Sequence, residues 1–173
     1  MNNQHLKAAS HDVLVQGLAL VSGLDAATYC RKLPQAFNAS IGGHYRHCLD
    51  HFECLLGTID GTVDYDARER DPGVETDPAI AAARTAVLMD RIEAITASQL
   101  DADVRVRCKV SYHGEASPLV ASTFARETMY AIVHAVHHYA LIGVMSELLG
   151  HAVPEGFGIA PSTARHRLTA VAG

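Results

Sequence analysis

Apolar residues recur along this chain with two different periods, and the changes of period divide it into elements. Ile41, Tyr45, Cys48, Phe52, Leu55 and Ile59 alternate steps of four and three. That spacing lays one apolar stripe along an amphipathic helix over 41–59, with Ser40 as its N-cap. Residues 5–23 predict a first helix carrying Leu6, Val13, Leu14, Leu18 and Val21, and Asp25 caps a short piece through Arg31 that stops before Pro34. Asp77-Pro78 opens a further helix to about Ser98, with Ile80, Ala83, Val87, Ile92 and Ile95 on its inner face. The longest helix covers 123–149 and ends at Gly150; being apolar almost all round, it belongs at the bundle centre.

Before that last long helix the period drops to two. Val104, Val106, Cys108, Val110 and Tyr112 alternate with Arg105, Arg107, Lys109 and Ser111, which predicts a half-buried strand over 103–112. His113-Gly114-Glu115 turns it, and 119–122 returns as a short edge strand behind Pro118. Residues 61–77, rich in Gly, Asp, Arg and Pro, read as a long connection. The tail from His151 reads as irregular apart from a last short helix capped by Ser162. The expectation is a mainly α protein: a four-helix bundle over about 5–150 with a short β-hairpin inserted before the last long helix. The whole chain, 1–173, reads as one domain with an irregular tail over 151–173.

Composition narrows the function. At 49% hydrophobic and 19% charged residues the chain has the makings of a core. A formal net charge of −5 with scattered basic residues excludes a nucleic-acid footprint. The longest apolar stretch, 13–24, carries Gln16 and is too short to span a bilayer, and the polar start 1–7 lacks a signal peptide's apolar run, so the expected location is cytoplasmic, away from membranes. Cys30, Cys48, Cys54 and Cys108 show no CxxC spacing and read as reduced thiols, with Cys48 packing as a small hydrophobe. Glycine loops for phosphate and a Gly-x-Ser-x-Gly nucleophile are absent from the sequence.

Histidine changes the picture more than any other residue. There are 11, with His44, His47 and His51 close together on one helix and His134, His137 and His138 on another. At about 100° per residue the first three share an arc of about 60° beside the apolar stripe, and His134 and His138 lie about 40° apart, one turn from each other. Imidazoles on an apolar face need partners, since an unmet buried group costs roughly 1–3 kcal/mol, and a metal ion supplies them. His134 and His138 form the central pair and His47 is the third candidate, with His51 and His44 as rivals if the helices shift by a turn. His137 reads as a packing or supporting residue. Glu127, two turns before His134, is either a partner of a ligand histidine or a helix N-terminal carboxylate. A di-iron carboxylate bundle is excluded because no Glu-x-x-His occurs. A haem held by two histidines leaves the third unexplained.

The segments Ser40-Ile-Gly-Gly-His-Tyr-Arg-His-Cys-Leu-Asp-His-Phe and His134-Ala-Val-His-His-Tyr-Ala-Leu-Ile resemble the DinB/YfiT-like superfamily of bacterial metal-dependent proteins. The resemblance covers roughly 5–150, and Tyr139-Ala140-Leu141 stands where that family usually carries Arg-Gly-Gln. It implies a four-helix bundle with one divalent ion, zinc or nickel, on His47, His134 and His138. It also implies a position open to water or substrate, and a homodimer. The activities it implies are thiol S-transfer and mycothiol-dependent isomerisation, with a thiol as cosubstrate; an open three-histidine site also suits hydrolysis of a small-molecule substrate, and a structural or sensing metal site is the alternative. Such an ion lowers the pKa of bound water to about 7 or holds a thiolate. Glu127, His51 and His137 are the candidates for a supporting base, with Glu127 and His51 foremost. Arg68 and Arg70, in the charged run 64–71, either meet an anionic substrate or belong to a solvated loop of self-paired charges.

Overall fold

Side-chain oxygens cap most of the helices, at Asp25, Ser40 and Asp77 as the sequence predicts. The computed structural model describes residues 3–58, 60–114 and 116–171, so Ile59 and Glu115 of the expected stripe and turn lie outside the described residues. Helix α1 spans His5–Val21 and α2 Ala26–Cys30, the latter capped by Asp25, which accepts from the Thr28 N–H at 2.9 Å. Helix α3, Ile41–Leu56, starts at Ser40, whose Oγ accepts from the Gly43 N–H at 3.0 Å. Its predicted stripe is buried: Ile41, Tyr45, Cys48, Phe52 and Leu55 are each at most 1% exposed.

The long connection is more structured than its composition suggests. It holds a short strand β1, Thr62–Asp64, and a short helix α4, Pro72–Thr76. Helix α5, Pro78–Glu93, begins at the Asp77 cap but ends earlier than expected, and α6, Ala97–Leu100, restarts the chain through a Thr96–Gln99 capping box. Its inner face is Ala81, Thr85, Leu88 and Ile92, whereas Ile80, Ala83 and Val87 are exposed. An apolar count misassigned this face because it contains Thr85. That hydroxyl donates to the Ala81 carbonyl and meets Tyr45 Oη, each at 2.8 Å, so a polar residue sits at the core without an unmet group.

The expected hairpin is a three-stranded sheet. Strand β2, Asp103–Arg107, pairs antiparallel with β3, Leu119–Thr123, and parallel with β1 through Thr62–Arg105, Val63–Val106 and Asp64–Arg107. Val104 and Val106 are buried as the alternation demands, but the strand stops at Arg107 and leaves Val110 and Tyr112 exposed. Asp66 gathers the chain beyond it, accepting from the Lys109 N–H at 2.9 Å and from Ser117 Oγ.

Helix α7, Phe124–Leu148, is capped by Thr123 and followed by Gly150 at φ 81°. It packs on α3 and α1, and α5 packs on the other sides of α3 and α1, which closes a four-helix bundle. The helix is a corner of that bundle rather than its centre: Met129, Val133, Val144 and Leu148 are more than half exposed. Its core face carries Ala131, Ala135, Tyr139 and Ile142, and apolar residues on the outer face misled the periodicity. Residues 151–160 dock on α7, with Phe157 stacked 4.9 Å from Tyr139 and Gly158, at φ 69°, tight against the Tyr139–Ala140 backbone. Pro161, not Ser162, opens the final helix α8, Pro161–Val171. No described helix is long and apolar enough to cross a membrane.

Tyr45 and Tyr139, both fully buried and 6.2 Å apart, press together against Gly17 of α1. A methyl group there would overlap both rings. Gly17→Ala is expected to destabilise the fold by about 1–3 kcal/mol, read as a lowered urea midpoint with an unchanged slope. A variant as stable as the parent would show that α1 does not seat on these tyrosines.

Candidate metal centre

Five imidazoles, of His44, His47, His51, His134 and His138, meet in the seam between α3 and α7. His47, His51 and His134 each offer a nitrogen, and the three nitrogens lie within 4.8 Å of one another. His134 Nε2 stands 3.0 Å from His47 Nε2. The His138 ring is 4.5 Å from that of His134 and 4.7 Å from that of His47, while its Nδ1 lies 2.9 Å from Nδ1 of His44. His137 is exposed, with its ring 5.6 Å from His138. The structure thus brings together the three sequence candidates His47, His134 and His138, and adds both rivals, His51 and His44, to the same cluster. The tightest set of three contains His51 rather than His138.

Hydrogen bonds decide which ring nitrogens are free. His51 Nδ1 donates to the His47 carbonyl at 2.9 Å, which leaves the Nε2 lone pair of His51 uncommitted. The helix itself makes this bond possible, since the two residues are one turn apart. Arg68 Nη1 donates to His47 Nδ1 at 3.1 Å. A guanidinium only donates, so Nδ1 of His47 accepts and its proton sits on Nε2, directed at His134.

Aromatic rings wall the site. Tyr65 stacks 5.2 Å from His51, and Tyr130 stacks 5.6 Å from His134. Neither tyrosine was among the sequence candidates. Tyr130 lies one turn before His134, which was a readable signal; Tyr65 sits in the connection, where nothing in the pattern marked it. Glu127 is fully buried, and its carboxylate accepts from Tyr65 Oη at 3.0 Å, Ser122 Oγ at 2.6 Å and Arg126 Nη1 at 2.7 Å. Among the described residues none of its hydrogen bonds goes to a histidine; it reaches the cluster through Tyr65, and through Arg126, which lies over the Tyr130 ring.

Burial sets the protonation of the site. It drives His47 down to about 2, aided by its histidine neighbours and Arg68. His51, His134 and His138 are each pushed to about 4, again chiefly by burial. The bond from His51 to the His47 carbonyl partly opposes that fall. Burial also raises the Cys48 thiol far above its ordinary range, in keeping with a packing role. All four cysteines are free thiols.

These residues fit a divalent ion. The donors are neutral imidazoles, the form that coordinates, and two nitrogens on one ion at about 2.0–2.1 Å stand about 3.3 Å apart at tetrahedral angles, close to the His47–His134 spacing. A cleft of about 350 Å³, lined by Lys32, Ser40, Gly43, His44, Arg46 and Glu75, leads to His47 and His138. A larger cavity of about 520 Å³, walled by Asp50, Glu53, Asp64 and Glu69, touches none of the histidines.

The comparison with protein families matches the DinB superfamily over residues 16–142, from α1 through the histidine pair of α7. This chain belongs to the DinB superfamily. Members of that superfamily bind metal, and the three clustered histidines fall inside the matched region. The chain is also similar to FK506-binding protein 5 of Rhizopus delemar, 34% identical over 109 residues, which is 63% of this chain and 28% of that protein. The chain therefore spans little more than a quarter of that relative's length. No solved structure matches it.

The depressed histidine values make a pH prediction. Each ring is neutral when folded and accepts a proton more readily when unfolded, near 6.5. The stability they contribute is whole above that value and is lost as pH falls from 6.5 towards 4. The melting temperature of metal-free protein should drop steadily over that window, with no imidazole of the cluster titrating near 6.5 by NMR. Ordinary titration of His47 and His134 there would refute the burial argument.

Proposed function

We propose that this DinB-superfamily protein is a metal-dependent enzyme of the hydrolase or thiol S-transferase type, working on a small-molecule substrate. One zinc or nickel ion is held between α3 and α7. The observation that carries the reading is the convergence of neutral imidazoles in the seam, beside a cleft lined by His44, His47 and His138. His47 and His134, whose Nε2 atoms stand 3.0 Å apart, are the first two ligands. His51 competes for the third place through its oriented, uncommitted Nε2, and His138 through the family resemblance and its ring 4.5 Å from His134. The ion's contribution is to acidify water or a thiol at the position that three histidines leave open.

The protein groups act around that position. Tyr65 and Tyr130 exclude water from one side of the imidazoles, and Glu127 fixes Tyr65 through its hydroxyl. The cleft beside His44 admits the substrate. FK506 binding is named for the Rhizopus delemar protein as a whole, and we carry no ligand from it. A purely structural or sensing site remains the second reading, favoured by the presence of a fourth imidazole within reach, which could close the coordination.

Purified protein is expected to hold about one zinc or nickel per chain, and a chelator should lower its melting temperature. His47→Ala and His134→Ala should each lose the ion. Comparing His51→Ala with His138→Ala identifies the third ligand by the larger loss of affinity. Full occupancy in the His47→Ala/His134→Ala double variant would overturn the site. On cobalt-substituted protein, addition of 2-mercaptoethanol should bring up a thiolate charge-transfer band. A spectrum that no added ligand alters would favour the structural reading over the enzyme.

A further inference from the structure

The charged run 64–71 is not a loop of mutually paired charges. Its acids are engaged elsewhere: Asp64 with Arg107 at 3.1 Å, Asp66 with the Lys109 N–H and Ser117, and Glu69 and Asp71 with Arg84 at 3.6 and 3.2 Å. Arg68 instead turns inward to His47. Among the described residues it makes no ion pair, and its Nε is buried without a hydrogen-bond partner. A partly buried guanidinium with one imidazole as its acceptor and no direct ion pair is an arrangement that proteins rarely keep without use.

The proton inventory sharpens the point. His47 accepts from Arg68 at Nδ1 only while its own proton is on Nε2. A His47 ring that gives its Nε2 lone pair to an ion carries its proton on Nδ1, and Arg68 then loses its acceptor. The neighbouring carboxylates are already taken, Asp50 by Arg46 at 2.6 Å and Glu127 by Arg126 at 2.7 Å. A divalent ion among neutral histidines beside a guanidinium leaves excess positive charge that favours an incoming anion.

We propose that Arg68 is the specificity-determining residue of this site, anchoring the carboxylate of a small carboxylate-bearing substrate beside the ion. This rests on the metal-centre reading above. A carboxylate is favoured over a single-atom acceptor because the guanidinium's Nε edge presents two parallel N–H donors that match two oxygens. Arg68 is positioned for this by β1 and Tyr65, whose N–H is tied to the Arg107 carbonyl at 2.9 Å, three residues before the guanidinium.

The test uses cobalt-loaded protein, with metal content measured for every sample and acetate, acetamide and inorganic phosphate as probes. Acetate should perturb the visible cobalt bands of the parent at least about tenfold more tightly than acetamide. Arg68→Met should weaken acetate about tenfold or more, with metal content and the 2-mercaptoethanol response unchanged, and Arg68→Lys should recover part of the loss. Equal acetate affinity in parent and Arg68→Met overturns the proposal, as does phosphate binding more tightly than acetate. Loss of metal from Arg68→Met also overturns it, making the residue a prop for His47. Absence of metal from the parent protein defeats the metal-centre reading itself, and is told apart by the metal analysis.

Discussion

Neutral imidazoles packed into the seam between α3 and α7 are the constraint on which the rest of the structure turns. Each ring brings a donor and an acceptor into surroundings that penalise charge, so each must find a partner without taking a proton. His51 finds the His47 carbonyl, His44 finds His138, and His47 meets both Arg68 and His134. The seam also has to be rigid. Tyr45 and Tyr139, one from each helix and seated on Gly17, hold the two helices face to face just beyond the histidines. Phe157 from the tail backs Tyr139 from the outer side.

The small sheet serves that seam. Its parallel β1–β2 pairing leads the chain directly from Asp64 to Tyr65 against His51, and on to Arg68 against His47. From the other end β3 delivers Ser122 and Thr123, one bonding Glu127 and the other capping α7. One side of the histidine cluster is thus built from two segments distant in sequence and joined through backbone hydrogen bonds. Arg84 of α5 completes the arrangement by holding Glu53, Glu69 and Asp71, so that the run between β1 and α4 is pinned at both ends. With those acids engaged by Arg84, Arg68 is left, among the described residues, without an ion pair and turns to His47.

The DinB-superfamily match spans the α3–α7 seam, where the cluster geometry brings together histidines that could hold a metal ion. Resemblance and geometry divide on the third nitrogen, because resemblance follows the helical spacing of His134 and His138 while the structure follows tautomers. The Nδ1 bond of His51 to its own helix leaves its free nitrogen facing His47 and His134, whereas His138 is drawn towards His44. Backbone hydrogen bonding thereby ranks rings that sequence spacing treats alike.

Local rules made much of this protein legible from its sequence. The caps at Ser40, Asp25 and Asp77 depend on a side chain and the next three residues, and the buried stripe of α3 depends on helical geometry alone. His134 and His138 shared a face for the same reason. What needed the tertiary structure was everything set by distant partners. Thr85 is a core residue because Tyr45 reaches it from another helix. The three residues of β1 became a strand because β2 was there to pair with them. Val133 and Val144 stayed exposed because the bundle gave α7 neighbours on its inner side only. Arg68 was one charge in a charged run until folding took its neighbouring acids away and turned it towards His47. Periodicity records which residues can share a face; which faces meet, and which polar groups are left over, is decided only when the elements pack.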